Sequence, residues 1–185
     1  MRTVISFLAC GLPWLNPYAF GPSPALVSLL FTWMCTAALL GLSEHGKSPP
    51  RRLGVPAAAW LVAALLSAAF GLLQYFELTV HLGGWVTKTD LGEAYANLRQ
   101  RNQFATLTNI GLVALLWWIV RGPVQPSALG DSVGSVPQRR LSTFVIVVAA
   151  PLLAAGNAAS SSRTGLLQLV TLLILTWVWT RGHTG

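Results

Sequence analysis

Six apolar runs, each at or near the length that crosses a bilayer, decide the solvent in which this chain folds. They extend from Val4 to Phe20, Pro24 to Leu42, Leu53 to Phe76, Phe104 to Val120, Leu141 to Ala158 and Gly165 to Thr180. Of the 185 residues, 54% are apolar and 9% are charged, a balance that fits a membrane protein rather than a soluble domain. The expected fold class is all-α: a polytopic transmembrane helical bundle of about six spans, a single membrane domain over residues 1–185. Cys10 and Cys35 lie inside apolar runs and read as small buried hydrophobes, not as a disulfide or metal pair.

The net charge of +7 would point to nucleic acid in a soluble protein. In a membrane protein, however, basic residues collect in cytoplasmic loops, and no basic run here is interleaved with aromatics, so no nucleic-acid partner is expected. With the amino terminus cytoplasmic, Arg2, Lys47, Arg51, Arg52, Arg121, Arg139, Arg140 and Arg181 all fall inside, opposed only by Glu44 and Asp131. Residues 43–52 and 121–140 are then cytoplasmic loops, the Gly122–Gln138 stretch reading as a flexible linker, and 77–103 is an outer loop. Arg2 before a short apolar run ending at Cys10 resembles a secretion or lipoprotein signal, but the run reads better as a retained first span, interrupted by Pro13 and Pro17.

Four basic residues break the inside rule: Lys88, Arg99, Arg101 and Arg163. The three arginines crowd the starts of apolar segments, where insertion of a guanidinium is costly unless it snorkels to the interface. Arg99, Asn102, Thr106 and Asn109 recur at steps of three, four and three, one polar stripe descending into the fourth segment. The last segment opens on Ser160-Ser161-Ser162-Arg163-Thr164-Gly165, with Ser161 or Ser162 as N-cap and Arg163 at the positive end of the macrodipole. Free amides, serine hydroxyls and guanidinium would converge there, as an anion requires. The segment starting near Gln103, with Arg99 and Arg101 on its approach, repeats the arrangement. Interface anchoring is the alternative reading for each arginine alone.

Other polar residues fall into weaker patterns. Ser67, Gly71 and Gln74 share a stripe continuing to Glu77 and His81, and Thr164, Gln168 and Thr171 share another; both read as helix-packing contacts. No zinc or paired-carboxylate motif occurs, and Asp90 with Glu93 does not make a metal site, so neither metal nor cofactor is expected.

The motif Asn97-Leu98-Arg99-Gln100-Arg101-Asn102-Gln103-Phe104-Ala105, followed one hairpin later by Ser161-Ser162-Arg163-Thr164-Gly165, resembles the PglL-type bacterial O-oligosaccharyltransferases, relatives of the O-antigen ligases and Wzy polymerases. Leu12-Pro13-Trp14-Leu15-Asn16-Pro17 is similar to that family's amino-terminal Pro-Trp-Leu-x-Pro element. The resemblance implies transfer of a glycan from undecaprenyl pyrophosphate, a lipid-linked oligosaccharide donor, to a Ser or Thr hydroxyl of an acceptor protein such as pilin, on the periplasmic side of the inner membrane. It implies no metal, and it implies that Arg99, Arg101 and Arg163 contact the pyrophosphate, with Gln100 and Asn102 as polar support; Ser161, Ser162 and Thr164 are the further polar groups expected at that site.

Family members are longer, with a large periplasmic loop in the second half that supplies an acceptor-activating histidine. This chain has no counterpart of that loop, so it reads as a fragment, a truncated product or a minimal form. Glu77, His81, Asp90 and Glu93 are the outer-side groups available as a catalytic base. A non-catalytic component that binds or transports a polyprenyl-phosphate lipid is the alternative function, and a purely structural membrane subunit a third.

Overall fold

The computed structural model describes residues 1–16, 26–42, 49–98, 100–121 and 136–182. Among the described residues there are six α-helices: α1 Arg2–Leu15, α2 Leu26–Gly41, α3 Pro49–Tyr75, α4 Arg101–Arg121, α5 Val136–Ala159 and α6 Arg163–Gly182. A 3-10 segment, Leu78–Trp85, bends at Gly83 (φ 58°) between α3 and the loop that leads to α4. Among the described residues there is no strand, as expected where lipid offers no partner for an open sheet edge. The all-α bundle of six helices read from the sequence is the architecture observed.

Among the described residues, three helices are long and apolar enough to cross a membrane: Gly54–Tyr75, Arg101–Val120 and Arg163–Arg181. Arg2–Leu15, Leu26–Gly41 and Ile146–Ala159 are shorter apolar helices. The first run, expected to reach Phe20, forms helix only to Leu15, where Asn16 turns extended; the 122–135 part of the expected linker lies outside the described residues.

Small side chains decide the packing, because lipid removes the hydrophobic drive between helices and leaves close backbone approach as the main source of contact. α3 packs against α1, α4 and α5, and α4 packs also against α5 and α6. Ala59, Ala63, Ala64 and Ala68 of α3 are all buried. A Cβ added at Gly71 would strike the ring of Phe104, one at Gly111 would meet Ala64 and Leu153, and one at Gly156 would meet Ala68. Phe104, Leu107 and Leu153 are the large side chains fully buried within this alanine-lined interior. By contrast, 6% of the α6 spanning window is buried against 44% of that of α4, so α6 stands at the margin of the bundle.

One end of the bundle collects the ends of five helices. α3 ends where Glu77 enters the left-handed region (φ 56°), and Gln74, fully buried one turn earlier, turns its amide toward the following loop. Its Nε2 donates to the carbonyls of Thr87 (2.7 Å) and Ala96 (2.8 Å), while its Oε1 accepts the backbone N–H groups of Tyr95 (3.1 Å) and Ala96 (2.6 Å). The buried Asn97 donates to the carbonyls of Leu15 (3.3 Å) and Trp85 (3.0 Å), tying in the end of α1. Two amide side chains thus satisfy the carbonyls of Trp85, Thr87 and Ala96 and the N–H groups of Tyr95 and Ala96, part of a loop that has no regular structure of its own. The starts of α4 and α6 and the end of α5 complete this end.

Candidate functional site

α4 begins at Arg101 and α6 at Arg163, slightly ahead of the starts near Gln103 and Thr164 expected from the apolar pattern. The local cause is capping. The Gln100 carbonyl accepts from Phe104 N–H at 3.2 Å, and the Ser162 hydroxyl accepts from Gly165 N–H at 3.0 Å, so Ser162 is the N-cap. Each arginine therefore occupies the first turn of its helix, beside backbone N–H groups with no intrahelical acceptor.

The two mouths are joined. Ser162 Oγ donates to Asn102 Oδ1 at 2.7 Å, so the capping hydroxyl of α6 also bridges to the first turn of α4. Ser160 Oγ donates to the Asn157 carbonyl (2.5 Å) and accepts from Ser162 N–H (3.2 Å), closing the α5–α6 corner around Ser161, whose φ is 51°. Arg163 is exposed and has no hydrogen-bond or ion-pair partner among the described residues. Arg101, also exposed, forms an ion pair with Glu93. Ser161, Thr164 and Gln100 are exposed at the same mouths.

The remaining site residues read from the sequence divide. Arg99 lies outside the described residues, as does the side chain of His81. Glu77 and Asp90 are exposed on the connection between α3 and α4. Burial pushes the Tyr95 phenol above its ordinary range, the carboxylates of Glu93 and Asp90 push it further, and Arg101 pulls the other way. Tyr95, Glu93, Asp90 and Arg101 thus share one polar patch in front of α4. Among the described residues no group of His, Cys, Asp and Glu is arranged to hold a metal ion.

Below the mouths, the polar stripe of α4 turns to its neighbours. Thr106 Oγ1 lies 3.3 Å from Gln168 Oε1, and Asn109 Nδ2 donates to that oxygen and to the Gly165 carbonyl, both at 3.1 Å. Asn157, buried on α5, donates to the carbonyl of Ala105 (3.2 Å), to Thr108 Oγ1 (3.0 Å) and to Asn109 Oδ1 (3.1 Å). Asn157 thus ties α5 to α4, and Asn109, which accepts from it and donates to Gly165 and Gln168, carries the connection on to α6. The sequence reading gave Asn157 no role, since a single asparagine amid alanines has no periodic partner. The Asn97 Oδ1 atom is buried without a hydrogen-bond partner.

A groove of about 650 Å³ opens between α3, α4 and α6 one turn below the arginines. Thr106, Asn109, Thr164 and Gln168 supply its polar lining, and Trp60, Val113 and Leu172 are among its apolar walls. It exists because α6 leans on α4 through polar contacts and leaves α3 uncovered beside it.

Fold and site together define a polytopic helical membrane protein in which two arginine-bearing helix starts are locked side by side at one end of the bundle. The stretch that forms the first of those starts, residues 94–119, matches a family model described as protein glycosylation ligase (PglL_A). The match covers Ala94 through the loop end, Arg101, Asn102 and most of α4, so this segment is similar to the glycosylation ligases. No curated protein and no solved structure matches the chain.

Proposed function

We propose that the chain works as a membrane glycosyltransferase of the protein-glycosylation-ligase type. A glycan on a polyprenyl pyrophosphate is transferred to a Ser or Thr hydroxyl of a protein such as pilin, at the periplasmic face of the bacterial inner membrane. The observation that carries this reading is the coincidence of the family match over residues 94–119 with the joined starts of α4 and α6. In the reaction the acceptor oxygen attacks the anomeric carbon of the glycan, the bond from that carbon to the phosphate oxygen breaks, and polyprenyl pyrophosphate leaves as an anion while the hydroxyl proton passes to the departing phosphate or to water. Arg101 and Arg163, with Arg99, are donors to that anion, and their directed N–H groups oppose the charge that grows on the leaving oxygen. The exposed first-turn amides of two helices add to the same field. The groove below supports the reading further, since an isoprenoid tail needs an apolar berth that starts close beneath its phosphates.

A second reading, a component that binds or moves a polyprenyl-phosphate lipid without catalysis, is favoured by one observation. The carboxylate in contact with the site, Glu93, is engaged by Arg101 and not free to take the acceptor's proton. The test is a transfer assay in cells carrying a lipid-linked glycan and a pilin acceptor. Arg101→Ala and Arg163→Ala should each lower glycosylation, on the order of a hundredfold where the guanidinium faces the leaving group. Unchanged glycosylation in both variants sinks the arginine roles. Lipid binding with no transfer by the wild type decides for the second reading.

A further inference from the structure

Among the described residues, the anion seat is filled from within the chain at the Arg101–Glu93 pair. Three facts define it. The pair is solvent-accessible, with side-chain exposures of 47% and 33%, so an arriving anion can reach it. The loop that carries Glu93 is pinned on both sides: Gln74 holds Thr87, Tyr95 and Ala96, and the Glu93 backbone is held through its N–H to the Asp90 carbonyl (3.1 Å) and its carbonyl to Thr89 Oγ1 (3.1 Å). The Glu93 backbone is therefore held while its side chain, bonded to Arg101 alone among the described residues, can change partner. Arg163, across the Asn102–Ser162 bridge, has no such internal carboxylate among the described residues.

We propose that Glu93 is a displaceable occupant of the anion seat: it pairs with Arg101 in the empty protein and is exchanged for a phosphate group when a pyrophosphate lipid arrives. This rests on the reading of Arg101 as an anion ligand. The exchange conserves charge pairing at Arg101, because one guanidinium trades a carboxylate for a phosphate oxygen and no bond is made or broken covalently. An exposed ion pair is weak, so the seat is closed only lightly and opens without loss of the loop's structure. The apparent affinity for the lipid is lowered by the fraction of molecules in which Arg101 is engaged, and it recovers when that engagement is removed. Glu93 thus tunes occupancy of the donor seat and keeps an exposed guanidinium from holding arbitrary anions between turnovers.

The experiment is binding of farnesyl pyrophosphate to the purified full chain in nanodiscs, for wild type, Glu93→Gln, Arg101→Gln and the double variant. Glu93→Gln should tighten binding about two- to fivefold, the reach of an exposed pair. In the Arg101→Gln background the same change should have no effect, because the pair no longer exists. Weaker or unchanged binding in Glu93→Gln overturns the proposal, and so does a gain that persists without Arg101, which would reflect bulk charge alone. Should Arg101→Gln itself leave binding unchanged, the reading of Arg101 as an anion ligand falls, and the exchange with it. A loss in Arg101→Gln with no effect of Glu93→Gln removes only the exchange. Inclusion of Glu93→Asp, which keeps the charge but shortens the reach, separates pairing from folding, since that variant should bind between wild type and Glu93→Gln.

Discussion

Single residues explain why two helix starts meet where they do. Gly165 allows α6 to approach α4 so closely that an added Cβ would collide with Ala105, whereas nothing lies within 4 Å of a Cβ at Gly41 on α2. Gly165→Ala should therefore destabilise the chain by about 1–3 kcal/mol, the usual range for overpacking. Gly41→Ala should be neutral or slightly stabilising, as expected for a helical glycine with room around it. Asn157→Ala removes three bonds to α4 and should cost on the order of 1–2 kcal/mol, since polar contacts between membrane helices are individually modest. Denaturation by SDS of the detergent-solubilised protein measures all three, and equal effects at Gly165 and Gly41 would remove the close-approach argument. The sequence made part of this visible. A serine N-cap, Ser161 or Ser162, and an arginine at the opening of each helix could be read from residue type and position alone; that Ser162 is the one that caps follows from its bond to Gly165 N–H. Asn157 could not, because its partners Ala105, Thr108 and Asn109 lie about fifty residues away and no local pattern announces them.

At the scale of elements, the helix pattern was legible because lipid forces apolar length into helix, and the six runs correspond to six helices among the described residues, three of them long and apolar enough to cross a membrane. The stripes were legible only as stripes. Gln74 sits on the Ser67–Gly71–Gln74 row and reads as a packing contact, yet its amide reaches out of the helix to hold the backbone of residues 87 and 95–96. The loop carries no periodic signal that would have disclosed this. Asn102, Thr106 and Asn109 likewise continue the row from Arg99 but bond to Ser162 and Gln168, so the described part of the row joins α4 to the start and first turns of α6. Gln74→Ala should therefore loosen the loop more than the helices. Hydrogen exchange should speed up at the amides of Tyr95 and Ala96 while protection in the middle of α4 stays unchanged. Uniform loss of protection across the bundle would show instead that Gln74 supports the whole fold.

At the scale of the whole molecule, the account is of a membrane bundle whose small-residue interior brings the ends of α1, α3 and α5 and the starts of α4 and α6 to one face. There an otherwise largely apolar bundle presents Arg101 and Arg163 at the joined starts of α4 and α6. The apolar groove between α3, α4 and α6 descends from that face into the depth of the bundle, so a ligand with an anionic head and a hydrocarbon tail matches both parts at once. The central claim is that Arg101 and Arg163 serve one site rather than two interface anchors. Binding of farnesyl pyrophosphate to the chain in nanodiscs, compared across wild type, Arg101→Gln, Arg163→Gln and the double variant, tests it most directly. A shared site predicts that each single change weakens binding about tenfold or more, as for a charge-assisted contact, and that the double change adds less than the sum of the two. Full affinity in both single variants, with only membrane insertion disturbed, would contradict it.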